Sequence, residues 1–219
     1  MKRLFLLTIF CLGVVAVGFA QDTVDAVQLK NDGNDALRAK DYKKALELFE
    51  KSLANWSEEE QDNAMIYNAG YCAYKVKNFE KAVKYFGQSI ENNYKTSTAY
   101  LYKANAQRQT GDDDGFVETL EAGMASNPND MKMKDMLSTF YLKEGNAFYK
   151  KGAAILKEAA SDVAAGKFTT NDDQYKAATT EAREEFKKAL PYFDKALKLT
   201  PNDDTAKQLK AAATQAING

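Results

Sequence analysis

Tyr42-Lys-Lys-Ala45-Leu-Glu-Leu-Phe49-Glu-Lys-Ser52-Leu53 has a near copy in Phe79-Glu-Lys-Ala82-Val-Lys-Tyr-Phe86-Gly-Gln-Ser89-Ile90 and another in Phe186-Lys-Lys-Ala189-Leu-Pro-Tyr-Phe193-Asp-Lys-Ala196-Leu197. Each copy carries an aromatic, Ala three residues on, an aromatic four later, a small residue three later and then an aliphatic. Spacings of three and four bring these positions onto one face of a helix. About ten residues upstream of the first two copies lies a second helical segment with a central glycine. These are Gly33 in Leu29-Lys-Asn-Asp-Gly-Asn34 and Gly70 in Ile66-Tyr-Asn-Ala-Gly-Tyr71.

Helix, short turn, helix, with small residues where the pair crosses, resembles the unit of the tetratricopeptide repeat (TPR) family. A third unit fits from about 97 to 130, with Ala104 at the crossing, Gly111 in the turn and Asn127-Pro128-Asn129-Asp130 as terminator. Thr200-Pro201-Asn202-Asp203 closes the last unit in the same way. The resemblance implies an all-α, right-handed TPR-type α-solenoid of helical hairpins over residues 26–217. Its units lie at about 26–59, 63–96, 97–130 and 133–202.

The departures from the pattern are informative. Phe116 stands where the family usually has Ala, which predicts a splayed or shifted third hairpin. Gly33 and Gly70 are three residues further apart than a regular repeat allows, which places extra residues near Ser57-Glu-Glu-Glu60. In the fourth unit, strict spacing from Ala104 points to Ser138, whereas the neighbours Gly145-Asn146 repeat Gly33-Asn34. Gly145 is therefore the expected crossing residue.

Some thirty residues, about 153–183, then precede the matching second helix, and their pattern is helical rather than loop-like. Phe148, Ile155, Ala159 and Val163 recur at helical spacing, Gly166 suits a C-cap, and Asn171-Asp172-Asp173 suits a new start. The reading is an extended fourth hairpin of two long helices, about 133–165 and 173–199, projecting beyond its neighbours. Pro191 inside the second is expected to kink it. A C-terminal capping helix, about 203–217, turns Ala206, Leu209, Ala213 and Ile217 inward.

The first twenty residues stand apart. Lys2 and Arg3 precede an apolar run, Leu4 to Ala20, that ends in small residues. This is the pattern of a secretory signal peptide cut near Gln21, with 21–25 left as a short tail. An uncleaved anchor is the alternative, the run being short for a membrane span. Cys11 follows Phe10, unlike lipid-modified cysteines, which resemble one another in following a small residue. No later stretch is apolar enough to cross a bilayer, so no transmembrane segment is expected after cleavage, and the chain is expected to be exported, periplasmic or associated with the outer membrane. The mature net charge would be −3, with both signs interspersed, which excludes the basic stripe of a nucleic-acid binder. Cys72 would remain without a partner for a disulfide.

No histidine occurs in the 219 residues, which excludes Ser-His-Asp and Cys-His nucleophile systems and most zinc sites. Gly111-Asp-Asp-Asp-Gly115 lacks the spacing of a phosphate loop or an EF-hand, and reads as a turn with N-cap carboxylates. No catalytic residue, cofactor or metal is expected.

The resemblance implies instead a concave groove lined by the first helix of each unit. Carried over by position, its residues are Lys30, Asn34, Leu37 and Arg38, then Tyr67, Tyr71, Tyr74 and Lys75. The later units supply Leu101, Asn105, Arg108 and Gln109, then Leu142, Asn146, Tyr149 and Lys150. Tyr67, Tyr71 and Tyr74 are expected to form a ridge flanked by Lys75 and Arg108. Lys30, Asn34 and Asn68 match part of the family's carboxylate clamp, but Thr98 and Tyr102 occupy its remaining basic positions, so the clamp is incomplete. The implied function is a non-catalytic adaptor holding a protein segment. The alternative is a structural subunit of a cell-envelope complex, docking through the projecting hairpin.

Overall fold

The structure is a computed structural model describing residues 25–56 and 62–219. The expectations for Leu4–Ala20 and Ser57–Glu60 lie outside the described residues. Among those described there are nine helices and no strand. They are α1 Ala26–Arg38, α2 Tyr42–Ala54, α3 Asn63–Lys75, α4 Phe79–Glu91, α5 Thr96–Thr110, α6 Asp113–Ser126, α7 Met131–Ala164, α8 Asp173–Leu199 and α9 Asp204–Asn218. Each packs chiefly on its neighbours in chain order, α1/α2, α3/α4, α5/α6 and α7/α8 forming hairpins and α9 closing against α8. This is a TPR-type solenoid with a long fourth hairpin and a terminal capping helix.

Local chemistry makes each hairpin turn. Lys40, Lys77 and Gly111 take the left-handed backbone conformation that ends a helix. The next residue then caps the following helix: Asp41 accepts from the Lys44 N–H at 3.1 Å, Asn78 from Lys81 at 3.2 Å, and Asp112 from Gly115 at 2.9 Å. The tripled aspartate is thus a cap followed by two exposed first-turn carboxylates.

Packing follows the repeat. Ala45, Phe49, Ala82 and Phe86 are completely buried, and each of the two phenylalanines contributes about 1.5–3 kcal/mol by leaving water. Ser52 and Ser89, the small residues of the pattern, donate to the Ala26 carbonyl at 2.6 Å and the Tyr94 carbonyl at 2.7 Å, so their buried hydroxyls are satisfied. In the third hairpin a side-chain network adds to the apolar contacts: Gln107 accepts from Thr119 at 2.7 Å and donates to Asp112 at 3.1 Å. Phe116, placed where Ala is usual, is fully buried and meets Phe140 of α7 with ring centroids 5.1 Å apart. Its bulk ties the third unit to the fourth. The core divides within the α5 hairpin: Ala99 and Ala106 pack with α1–α4, while Ala104 packs with α6–α9.

The fourth hairpin extends one contact pattern along its whole length. Ser138, Gly145, Gly152 and Ala159 follow at sevens on α7 and are all buried. Such a period keeps one seam facing a partner helix. Ser138 donates to the Ala196 carbonyl at 3.2 Å, Gly145 lies against Phe193, and Gly152 lies against Phe186 and the Ala182 carbonyl. Ser138 and Gly145, the two candidates for the crossing, therefore share one face. Glu185, 3% exposed, receives Lys151 of α7 at 2.9 Å and Lys188 at 2.8 Å on one carboxylate oxygen. Its other oxygen is buried without a partner among the described residues. The bonds from Lys188 and Lys151 hold its pKa below the ordinary carboxylate value despite burial. Helix α8 runs on through Pro191; both Pro191 and Lys187, whose carbonyl loses its donor, are exposed, so water can replace the missing bond.

Candidate protein-binding surface

Positions 67, 71 and 74 lie on one face of α3, and the structure separates them by depth. Tyr67 is 9% exposed, edge-on to Phe86 at 5.5 Å and Tyr94 at 5.9 Å. Burial, helped by the neighbouring tyrosines, pushes its pKa up to about 12. This corrects the expectation of an open three-tyrosine ridge: Tyr67 belongs to the core, because α4 and the α4–α5 turn close over it. Tyr71 and Tyr74 remain half-buried.

The ring that organises this surface is Tyr102 of α5. Its centroid lies 5.7 Å from Tyr71 and 5.2 Å from Tyr74, both edge-on, and it stacks on Phe86 at 5.1 Å. Tyr42, at the start of α2, joins from the other side, 5.9 Å from Tyr71. Edge-to-face pairs of this kind contribute about 0.5–1.5 kcal/mol each beyond burial. Lys75 is exposed, and its ammonium lies over Tyr42 at 5.5 Å and Tyr71 at 5.6 Å. Burial and the Tyr71 ring raise the Tyr102 pKa, while Lys75 pulls it the other way, so the phenol stays neutral. Three successive hairpins thus build one half-buried aromatic surface with a cation at its edge.

The other expected groove residues are placed differently. Lys30 pairs with Asp62 at 3.2 Å and covers Trp56 at 5.1 Å, so it joins the first two units. Burial pushes the Asp62 pKa up, but the Ala64 and Met65 N–H groups and Lys30 outweigh it and leave the value lowered. Arg38 is exposed and paired with Asp35. Arg108 lies over Phe116 at 5.1 Å and Phe140 at 5.8 Å, rings of the second half of the core, which corrects its expected place beside the tyrosine ridge. Asn34, Asn105 and Asn146 are half-buried and make no side-chain hydrogen bond among the described residues. Tyr149 leans on Phe186 at 5.3 Å, and Lys150 is exposed.

Two members escaped the sequence reading. In the sequence Tyr42 reads only as a packing residue of the repeat. Tyr102 reads there only as a departure from the clamp, yet it lies one helical turn past Thr98, facing the previous unit. The Cys72 thiol, on the same helix as Tyr71, is fully buried, and burial alone lifts its pKa to about 12, so it is protonated at neutral pH. Among the described residues no group of three or more acidic or Cys side chains could hold a metal ion, and no helix is long and apolar enough to cross a membrane.

A family model and one solved structure agree with this architecture. The family model described as tetratricopeptide repeat matches residues 31–86 and 67–130. A TPR repeats protein from Bacteroides fragilis is 28% identical, covering 87% of this chain and 98% of its own, with a TM-score of 0.53. A tetratricopeptide repeat protein from Parabacteroides merdae is 10% identical over 88% of this chain and 73% of its own, at a TM-score of 0.49. Yeast Tom70 is 20% identical over 88% of this chain and 43% of its own, at 0.46. No curated protein matches the sequence.

Proposed function

This chain is a tetratricopeptide repeat protein, and from that premise we propose that it is an adaptor that holds an extended or helical segment of another protein against the Tyr42–Tyr71–Tyr74–Tyr102 surface. A TPR fold implies protein partners. The observation that carries the finer reading is the half-buried aromatic surface itself, built by three hairpins and edged by Lys75. Tyrosines offer large contact area at low entropy cost, which is why they are frequent binding hot spots. A segment laid there would bury apolar side chains on the ring faces and bring a carboxylate or carbonyl to Lys75. The role requires no chemistry from the chain.

The alternative is a structural subunit docking through α7/α8. It is supported by helix length: α7 has 34 residues and α8 27, against 13 to 15 in α1–α6. Cross-linking mass spectrometry on the mature protein in cell-envelope extract separates the two. Partner cross-links at Lys75 support the aromatic surface, whereas links confined to Lys157 and Lys176 replace it with the hairpin.

Export is part of the proposal, and rests on the Leu4–Ala20 pattern. Intact-mass analysis of protein from its native host is expected to give a chain starting at or near Gln21. Membrane-bound protein retaining Met1 would substitute an anchor for the signal.

A further inference from the structure

An open cleft of about 500 Å³ lies between α6 and the α7/α8 hairpin, a size within the range of ligand pockets. Asp113, Asp114 and Glu118 of α6 and Glu144 of α7 line it, together with the rings of Tyr141 and Tyr192. Phe140 continues the aromatic floor, its centroid 5.7 Å from Tyr141, which in turn lies 6.5 Å from Tyr192. At 100° per residue, positions 140, 141 and 144 of α7 fall opposite Asn146, Tyr149 and Lys150. The cleft draws on α6, α7 and α8 and the surface proposed above on α2, α3 and α5, so the two share no residue.

Its electrostatics are one-sided. None of the four carboxylates makes an ion pair among the described residues. Asp113 and Asp114 favour the N-terminus of α6 through its dipole, but Glu118 and Glu144 lie beyond that first turn. The single lining cation, Lys195, holds its ammonium 5.0 Å over the Tyr141 ring, so the floor already accepts a cation on its aromatic face. The carboxylates do not converge on one point as metal ligands would.

We propose that this cleft receives a Lys or Arg side chain from a basic segment of a partner protein. The cation lies on the Tyr141–Tyr192 floor and the rim carboxylates, Glu118 and Glu144 foremost, accept its N–H groups. Charge complementarity selects this occupant: four acids around one lysine repel an acidic segment and leave an apolar one with no partner for the rim.

The test uses a fluorescent penta-arginine peptide and the full mature chain, with binding read by anisotropy. Three proteins are compared: wild type, Glu118→Gln/Glu144→Gln, and Glu47→Gln/Glu91→Gln, which removes the same charge from the first two units. Loss of two charge-assisted contacts is expected to weaken binding about tenfold or more in the first variant, with little change in the second and unchanged melting in both. Equal weakening in the two variants would reduce the effect to diffuse attraction and overturn the proposal. So would unchanged binding in the Glu118/Glu144 variant, or no binding of the peptide by wild type up to about 1 mM.

Discussion

A Cβ built on Gly145 would fall 2.7 Å from Cε1 of Phe193, the same distance that a Cβ on Gly33 would fall from Cε1 of Phe49. The glycine and its phenylalanine are sixteen residues apart in the first unit, as are Gly70 and Phe86 in the second, but forty-eight apart in the fourth. The insertion thus lengthens the hairpin at its far end and leaves the repeat's crossing intact.

Substitutions at these crossings and away from them have opposite expected signs. Gly33→Ala and Gly145→Ala press a methyl into a fixed ring, and Ala45→Leu or Ala82→Leu fill space that does not exist. Each is expected to cost about 1–3 kcal/mol, less in the glycine cases whatever helix propensity returns. Gly87→Ala in α4 meets nothing within 4 Å and is expected to gain up to about 1 kcal/mol from propensity. Thermal melts of the five variants check the register directly, and equal melting across the set would contradict it.

These contacts also mark how far the sequence could be read. The spacing of Ala45, Phe49, Ala82 and Phe86 made the hairpins legible, because one helical face must be small where backbones meet. The two long helices were legible from Ile155, Ala159, Val163 and the Gly166 stop, and they run over Met131–Ala164 and Asp173–Leu199. The depth of a side chain was not legible. Tyr67 and Tyr71 are one turn apart on the same helix, and only the closure of α4 over one of them makes it core. Nor could the Tyr102 contacts be foreseen, since they depend on how far α5 approaches α3.

Alkaline titration is expected to weaken the fold in two stages. Burial raises Cys72 from 9.0 to about 12 and Tyr67 from 10.0 to about 12. In the unfolded chain these groups lose protons at the lower values while the folded chain keeps them, so stability is complete below pH 9 and falls as pH rises. Urea midpoints taken from pH 8 to 11 should decline from about pH 9. In Cys72→Ala the decline should begin only as Tyr67 joins, near pH 10.

At the acid end, Asp62 and Glu185 have pKa values lowered from 3.8 and 4.5. Their contribution is present above those values and disappears as pH falls through the folded-state values. Asp62→Asn and Glu185→Gln should each lower the urea midpoint at pH 7, and the gap from wild type should close at lower pH. A gap that stays constant down to pH 2 would mean that the two carboxylates act through shape rather than charge.

Tyr71 is where the account is most exposed, because it touches Tyr42, Tyr102 and Lys75 and yet is not closed off from solvent. The decisive measurement is the affinity of Tyr71→Ala for the partner segment identified by cross-linking, taken at a temperature where its own melting curve shows it fully folded. If the aromatic surface is the binding site, affinity should fall about tenfold or more, a loss of about 1–2 kcal/mol typical of a tyrosine hot spot. Wild-type affinity in the folded variant, whatever its melting temperature, would contradict the groove and leave α7/α8 as the docking element.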